Sequence, residues 1–148
     1  MDRSAPSQWP YGVIVGVGVA VLDVFSKSFL GEIALDSADG SVGFAPLLEL
    51  VAVDEGGAGG QALLAGLVGA TLAVLVLLSR APARSIAVGL GFVLGGLLGK
   101  FLDRWDDGAA IDILRLGAGP PVSLADMSFG VGVVVLASAG LRRRRRRG

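Results

Sequence analysis

Two aspartates, Asp112 in the stretch AAIDIL and Asp126 in VSLADM, flank a Gly/Pro-rich connection and stand at the edges of apolar sequence. Two carboxylates brought together where water is scarce cannot both ionise cheaply, so they share a proton. The ionised one can take a proton from water while the protonated one donates to a carbonyl oxygen, a route to amide hydrolysis that needs neither metal nor thiol. The competing reading leaves them as two solvated acids at loop ends. The chain has no cysteine and no histidine, which removes thiol nucleophiles, disulfides, Ser-His-Asp triads and the usual zinc and haem ligands. Chemistry must rest on carboxylates, lysines, hydroxyls and backbone groups, with no cofactor and no metal.

Other ionisable residues also interrupt apolar sequence. Asp23 and Lys27 are four apart, which places them on one helix face with the acid N-terminal to the base, the favourable order for an ion pair. They either neutralise each other inside a bundle or belong to a functional site, the default reading for ionisable groups at membrane depth. Lys100, Asp103 and Arg104 cluster at the end of a third apolar run, where they either snorkel to headgroups or face the site. Ser26 and Lys27 are adjacent and point different ways on a helix, which argues against a Ser/Lys peptidase.

The elements that must hold these residues are membrane helices. The chain of 148 residues is 53% hydrophobic and only 18% charged, with a mean hydropathy of +0.71, so lipid rather than a large globular core must solvate its apolar faces. Four runs, at about 11–30, 61–79, 85–102 and 125–141, approach the length that crosses a bilayer as helix. The expected architecture is a single all-α integral-membrane domain with four transmembrane helices and a small extracytoplasmic β/loop element. The connection SRAPARS carries Arg80 and Arg84 without an acid, and Arg142 to Arg147 follow the last run. The loops 31–60 and 103–124 are acidic by contrast. Basic connections stay in the cytoplasm, so both termini are expected inside and both long loops outside. The arginine tail at 142–147 then fixes orientation and meets anionic headgroups rather than nucleic acid. A cleaved signal peptide fits poorly, because Asp23 and Lys27 break the first apolar run and no small-x-small site follows.

Gly91, Gly95 and Gly99 are spaced four apart, which lets another helix backbone approach closely. Trp9, Tyr11 and Trp105 fall near span ends, where interfacial aromatics belong. The segment SVGFAPLLELVAVD is either a short strand or a surface-lying piece of the first loop.

Taken in order, these motifs resemble those of the lipoprotein signal peptidase (signal peptidase II) family, over about residues 13–136. LDVFSK resembles the family's first-helix motif at Asp23 and Lys27. VAVDEGGAG is similar to a V-x-N-x-G-A-A-F loop and keeps Gly56 and Ala58. GGLLGKFLDRWDDGAAIDIL resembles the block G-G-A-x-G-N-x-x-D-R…G-x-V-x-D-F, retaining Gly95, Gly96, Gly99, Asp103, Arg104, Gly108 and Asp112. VSLADM matches F-N-x-A-D at Ala125 and Asp126.

The resemblance implies a four-span bacterial membrane aspartic endopeptidase whose catalytic pair falls on Asp112 and Asp126. It would cleave prolipoproteins just before a diacylglyceryl-modified cysteine, at the outer face of the cytoplasmic membrane, with membrane lipids as further partners. Arg104 would contact the lipid-bearing substrate or headgroups, and the first loop would cover the site. Three family asparagines are replaced, by Asp54, Lys100 and Ser123, and the closing Phe is Gly59. An Asp54–Lys100 pair would compensate two of these changes. The departures also define an alternative, a catalytically impaired relative that binds lipoproteins or lipids. In a third reading, a small transporter, Asp23 and Lys27 would carry the function.

Overall fold

The computed structural model describes residues 8–35, 41–45, 48–54, 60–106, 111–117 and 119–145. Runs of Gly, Ala, Val and Leu wind into four helices, α1 (Trp9–Leu35), α2 (Gly60–Ser79), α3 (Arg84–Asp106) and α4 (Leu124–Arg145). Pro10 is confined to the first turn of α1 and Pro82 to the connection before α3, positions where a missing N–H breaks no helical bond. Among the described residues three helical segments are long and apolar enough to cross a membrane, Trp9–Leu30, Arg84–Trp105 and Leu124–Arg143. The described apolar part of α2, Ala65–Ser79, is shorter. Three of the four expected spans are thus seen as membrane-length helices, and the fourth corresponds to α2, whose described apolar part falls short of that length.

Helix α3 lies at the centre and packs against the other three. Glycines set its distance to α1 and α4. A Cβ added at Gly95 would lie 2.5 Å from Val19 Cβ and 2.8 Å from the Gly16 carbonyl oxygen. One added at Gly99 would lie 2.7 Å from Asp23 Oδ2. Contacts that ascend together along both helices make α1 and α3 parallel. Against α4 the order reverses: Gly96 abuts the Ala125 carbonyl, and Gly132 abuts that of Gly89. Close backbone approach through glycine is the packing that lipid-embedded helices favour, since burial from water cannot drive their association.

Val74 and Leu78 of α2 join Ala87, Leu90, Val93 and Leu94 of α3 in a buried cluster. The outward faces carry Ile14, Phe25, Leu72 and Val134, all well exposed, as expected where hydrocarbon takes the place of water.

The two long connections build one small sheet. Strands β1 (Ser41–Ala45) and β2 (Leu48–Asp54) lie between α1 and α2; β3 (Ile111–Leu116) and β4 (Pro121–Val122) lie between α3 and α4. All pair antiparallel in the order β1-β2-β3-β4. The β-branched and aliphatic run at 48–54 is thus a strand. So is 111–116, which carries Asp112. Gly117, with φ 57°, takes the left-handed conformation that lets the chain leave β3 for β4.

Candidate active site

Strand β4 runs directly into α4, and the junction is where Asp126 is fixed. Ser123 precedes the helix and Asp126 occupies its first turn. The Ser123 backbone N–H donates to Asp126 Oδ2 at 3.0 Å, and its hydroxyl donates to the same oxygen at 2.9 Å. In return the Asp126 N–H lies 3.3 Å from Ser123 Oγ. This reciprocal arrangement is a capping box, with Asp in place of the usual Glu, and it locks the carboxylate against the helix end. Lys100 of α3 adds its ammonium to Oδ2 at 2.9 Å. Donors from α3 and from the residue that caps α4 thus converge on one oxygen, while the Asp126 side chain is still 41% exposed, enough to meet a substrate.

A buried charge cluster lies beneath that junction. Asp23 Oδ1 accepts the Ala125 backbone N–H at 2.7 Å, so a carboxylate from α1 satisfies an orphan donor in the first turn of α4. Its other oxygen pairs with Lys27 at 2.5 Å, and Lys27 also pairs with Asp103 of α3. All three side chains are buried. Asp23 and Lys27 neutralise each other within the bundle, as one sequence reading had it. Asp103, for which snorkelling was one reading, faces inward and joins them, tying α1, α3 and α4 together at one end. Gly99 makes room for the Asp23 carboxylate.

Asp112 lies on β3 opposite Val53 of β2, and its side chain is outside the described residues. Leu114, two positions on, pairs with Val122, the residue before Ser123. Asp54 pairs through its backbone with Ile111; its side chain, and all of Gly56, likewise lie outside the described residues. The expected Asp54–Lys100 contact therefore lies outside the described residues, whereas the Lys100–Asp126 pair is present. Arg104 is half-buried in the last turn of α3, where its charge complements the helix C-terminus. The structure thus brings together Asp23, Lys27, Lys100, Asp103, Ser123 and Asp126.

Sequence reasoning missed two of these roles, and both had a signal. The pattern Ser-Leu-Ala-Asp before an apolar run is a capping-box signature. Asp103 continues the four-residue series Gly91, Gly95, Gly99, so the face that packs on α1 had to carry it.

With this geometry in place, comparison with known proteins is decisive. The sequence profile described as Signal peptidase (SPase) II matches residues 15–142. The chain belongs to the signal peptidase II family. A lipoprotein signal peptidase of Nitrobacter hamburgensis is 28% identical over 144 residues, covering 84% of this chain and 88% of that protein. One from Methylorubrum extorquens is 39% identical over 92 residues, 60% of this chain and 54% of its own. One from Burkholderia cenocepacia is 45% identical over 81 residues, 51% and 49% respectively. The match thus spans about half the length of the latter two relatives. A bacterial membrane enzyme solved in meso at 2.3 Å resolution shares the fold, with a TM-score of 0.81 at 18% identity over 94% of this chain and 92% of that one. A second, solved at 1.9 Å, gives 0.77 at 19% identity over 89% and 93%. This member of the signal peptidase II family is a multi-pass membrane protein.

Proposed function

We propose that the chain is an aspartic endopeptidase that removes signal peptides from diacylglyceryl-modified prolipoproteins, cleaving before the lipidated cysteine, with Asp112 and Asp126 as the catalytic pair. The observation that carries this reading is the fixing of Asp126 at the β4–α4 junction, half-exposed and held by Ser123 and Lys100. The pairing of Leu114 with Val122 supports Asp112 as its partner, because it ties β3 to the strand that enters α4.

In this mechanism Asp126, paired with Lys100, is the ionised member. It takes a proton from a water whose oxygen attacks the scissile carbonyl carbon. Asp112 carries the proton that passes to the carbonyl oxygen as it becomes tetrahedral. Collapse breaks the C–N bond, with Asp126 returning its proton to the departing amine nitrogen and Asp112 regaining its own from the hydroxyl. Arg104 contacts the headgroup region of the lipid-bearing substrate. Four helices span the bilayer in one integral domain, with both termini cytoplasmic and the sheet and site at the outer face. The basic 80–84 connection and the arginine tail support that orientation.

The test is cleavage of a diacylglyceryl-modified prolipoprotein by the purified protein in detergent, beside Asp112→Asn and Asp126→Asn. Cleavage that both variants lose supports the dyad. Folded wild-type protein that binds this substrate without cleaving it would overturn the reading in favour of an impaired, lipoprotein-binding relative.

A further inference from the structure

At the end of the bundle opposite Asp126, a partly enclosed cavity of about 380 Å³ opens between the start of α3 and the last turns of α4. Its lining is divided. Ala83, Ile86 and Ala139 form an apolar floor, while Ser85, Arg142 and Arg143 supply a hydroxyl and two guanidinium groups. Arg84 is not among its walls and lies over the Tyr11 ring, 4.2 Å from the centroid.

Among the described residues, the side-chain charges at this cavity are all of one sign. No Asp or Glu occurs from Ser79 to Leu102, or anywhere after Asp126. The first turn of α3 holds no acid, and its N-terminal N–H groups add partial positive charge to that of the two arginines. Like charges gathered around a cavity repel, and an anion seated among them relieves the repulsion. Guanidinium groups match the oxygens of a phosphate in paired hydrogen bonds.

The apolar floor selects among phosphates. A free ion gains nothing from Ala83, Ile86 and Ala139, whereas an amphiphile continues from them onto the lipid-facing side of α4, where Val131, Val134 and Leu141 are exposed. We propose that this cavity is a binding site for the phosphate headgroup of an anionic phospholipid, anchored by Arg142 and Arg143. The site is distinct from the general attraction of a polybasic tail to an anionic surface, in which every arginine counts alike. It does not depend on the peptidase reading.

The experiment places the full-length protein in phosphatidylcholine nanodiscs containing phosphatidylglycerol and counts retained lipids of each kind by native mass spectrometry. The variants are R142Q/R143Q and, as a charge-matched control further along the same run, R146Q/R147Q; thermal melts confirm that each is folded. The proposal expects wild-type protein to retain phosphatidylglycerol in preference to phosphatidylcholine. It expects the first pair to lose that preference by about tenfold or more relative to the control pair. Equal losses in the two pairs would overturn it, since that is the behaviour of a diffuse tail. Displacement of phosphatidylglycerol by excess inorganic phosphate at constant ionic strength would overturn the lipid assignment in favour of a free-phosphate site.

Discussion

Asp23→Ala removes two interactions at once. Lys27 is left with Asp103 alone, and the Ala125 N–H loses the acceptor that lies 2.7 Å away. Asp23 is 0% exposed, so water does not replace either partner without opening the bundle. Breaking a buried ion pair by removing one member costs about 3–5 kcal/mol, and the retained Asp103 places this case near the lower end. An orphaned buried donor adds about 1–3 kcal/mol. The expected loss is therefore roughly 4–6 kcal/mol. Asp23→Asn keeps an oxygen for Ala125 and should cost about 1–2 kcal/mol less. Equilibrium unfolding in mixed micelles, followed by circular dichroism, measures each value. Because Lys27→Met breaks the same pair, the double variant Asp23→Ala/Lys27→Met should be less damaging than the sum of the singles by at least about 1 kcal/mol. A loss below about 1 kcal/mol for Asp23→Ala, or strictly additive singles, would refute the view that this cluster holds α1, α3 and α4 in place.

The same geometry yields further outcomes. Gly95→Ala places a Cβ 2.5 Å from that of Val19 and should destabilise the bundle by about 1–3 kcal/mol. Gly66→Ala, where nothing lies within 4 Å, should be neutral or stabilising by up to about 1 kcal/mol in the same unfolding assay. Lys100→Met removes a charged donor from Asp126 Oδ2 and should lower kcat roughly tenfold to a hundredfold in prolipoprotein cleavage. Its melting temperature should stay near that of wild type, and an unchanged kcat would deny Lys100 a part in the site. Ser123→Ala keeps the backbone N–H to Asp126 but loses the cap, for an expected loss of about 1 kcal/mol in stability. A smaller kcat defect than that of Lys100→Met should accompany it.

Hydropathy and charge made the membrane helices legible, because length and the absence of charge are local properties of the sequence. The pairing of Asp23 with Lys27 was legible for the same reason, being fixed by a four-residue spacing. What could not be read locally was anything that joins distant segments. Nothing in LDVFSK says that Asp23 would reach the Ala125 N–H at the start of α4, since that contact depends on α3 lying between and on Gly99 leaving space. Strand β3 was hidden because its residues, IDILRL, give no turn-bounded alternation on their own; it is a strand because β2 and β4 lie on either side of it. Lys100 was seen as a departure from a family asparagine, and its pairing with Asp126 was not foreseen. Only the packing of α3 against the capped end of α4 brings it to Asp126.

The sheet has a consequence for biogenesis. Strand β3 is hydrogen-bonded to β2 on one side and to β4 on the other, and its two neighbours are separated along the chain by the whole of α2 and α3. Pairing over such a separation must wait for loop closure. A nascent chain that has inserted α1 and α2 therefore carries β1 and β2 as a hairpin with an open edge and no Asp112 to place. The segment bearing Asp112 gains both strand neighbours only after α3 has entered and the chain has turned back into α4. If Asp112 and Asp126 form the centre proposed above, a stalled or half-inserted copy presents an unpaired strand edge to quality control but no working centre to its neighbours.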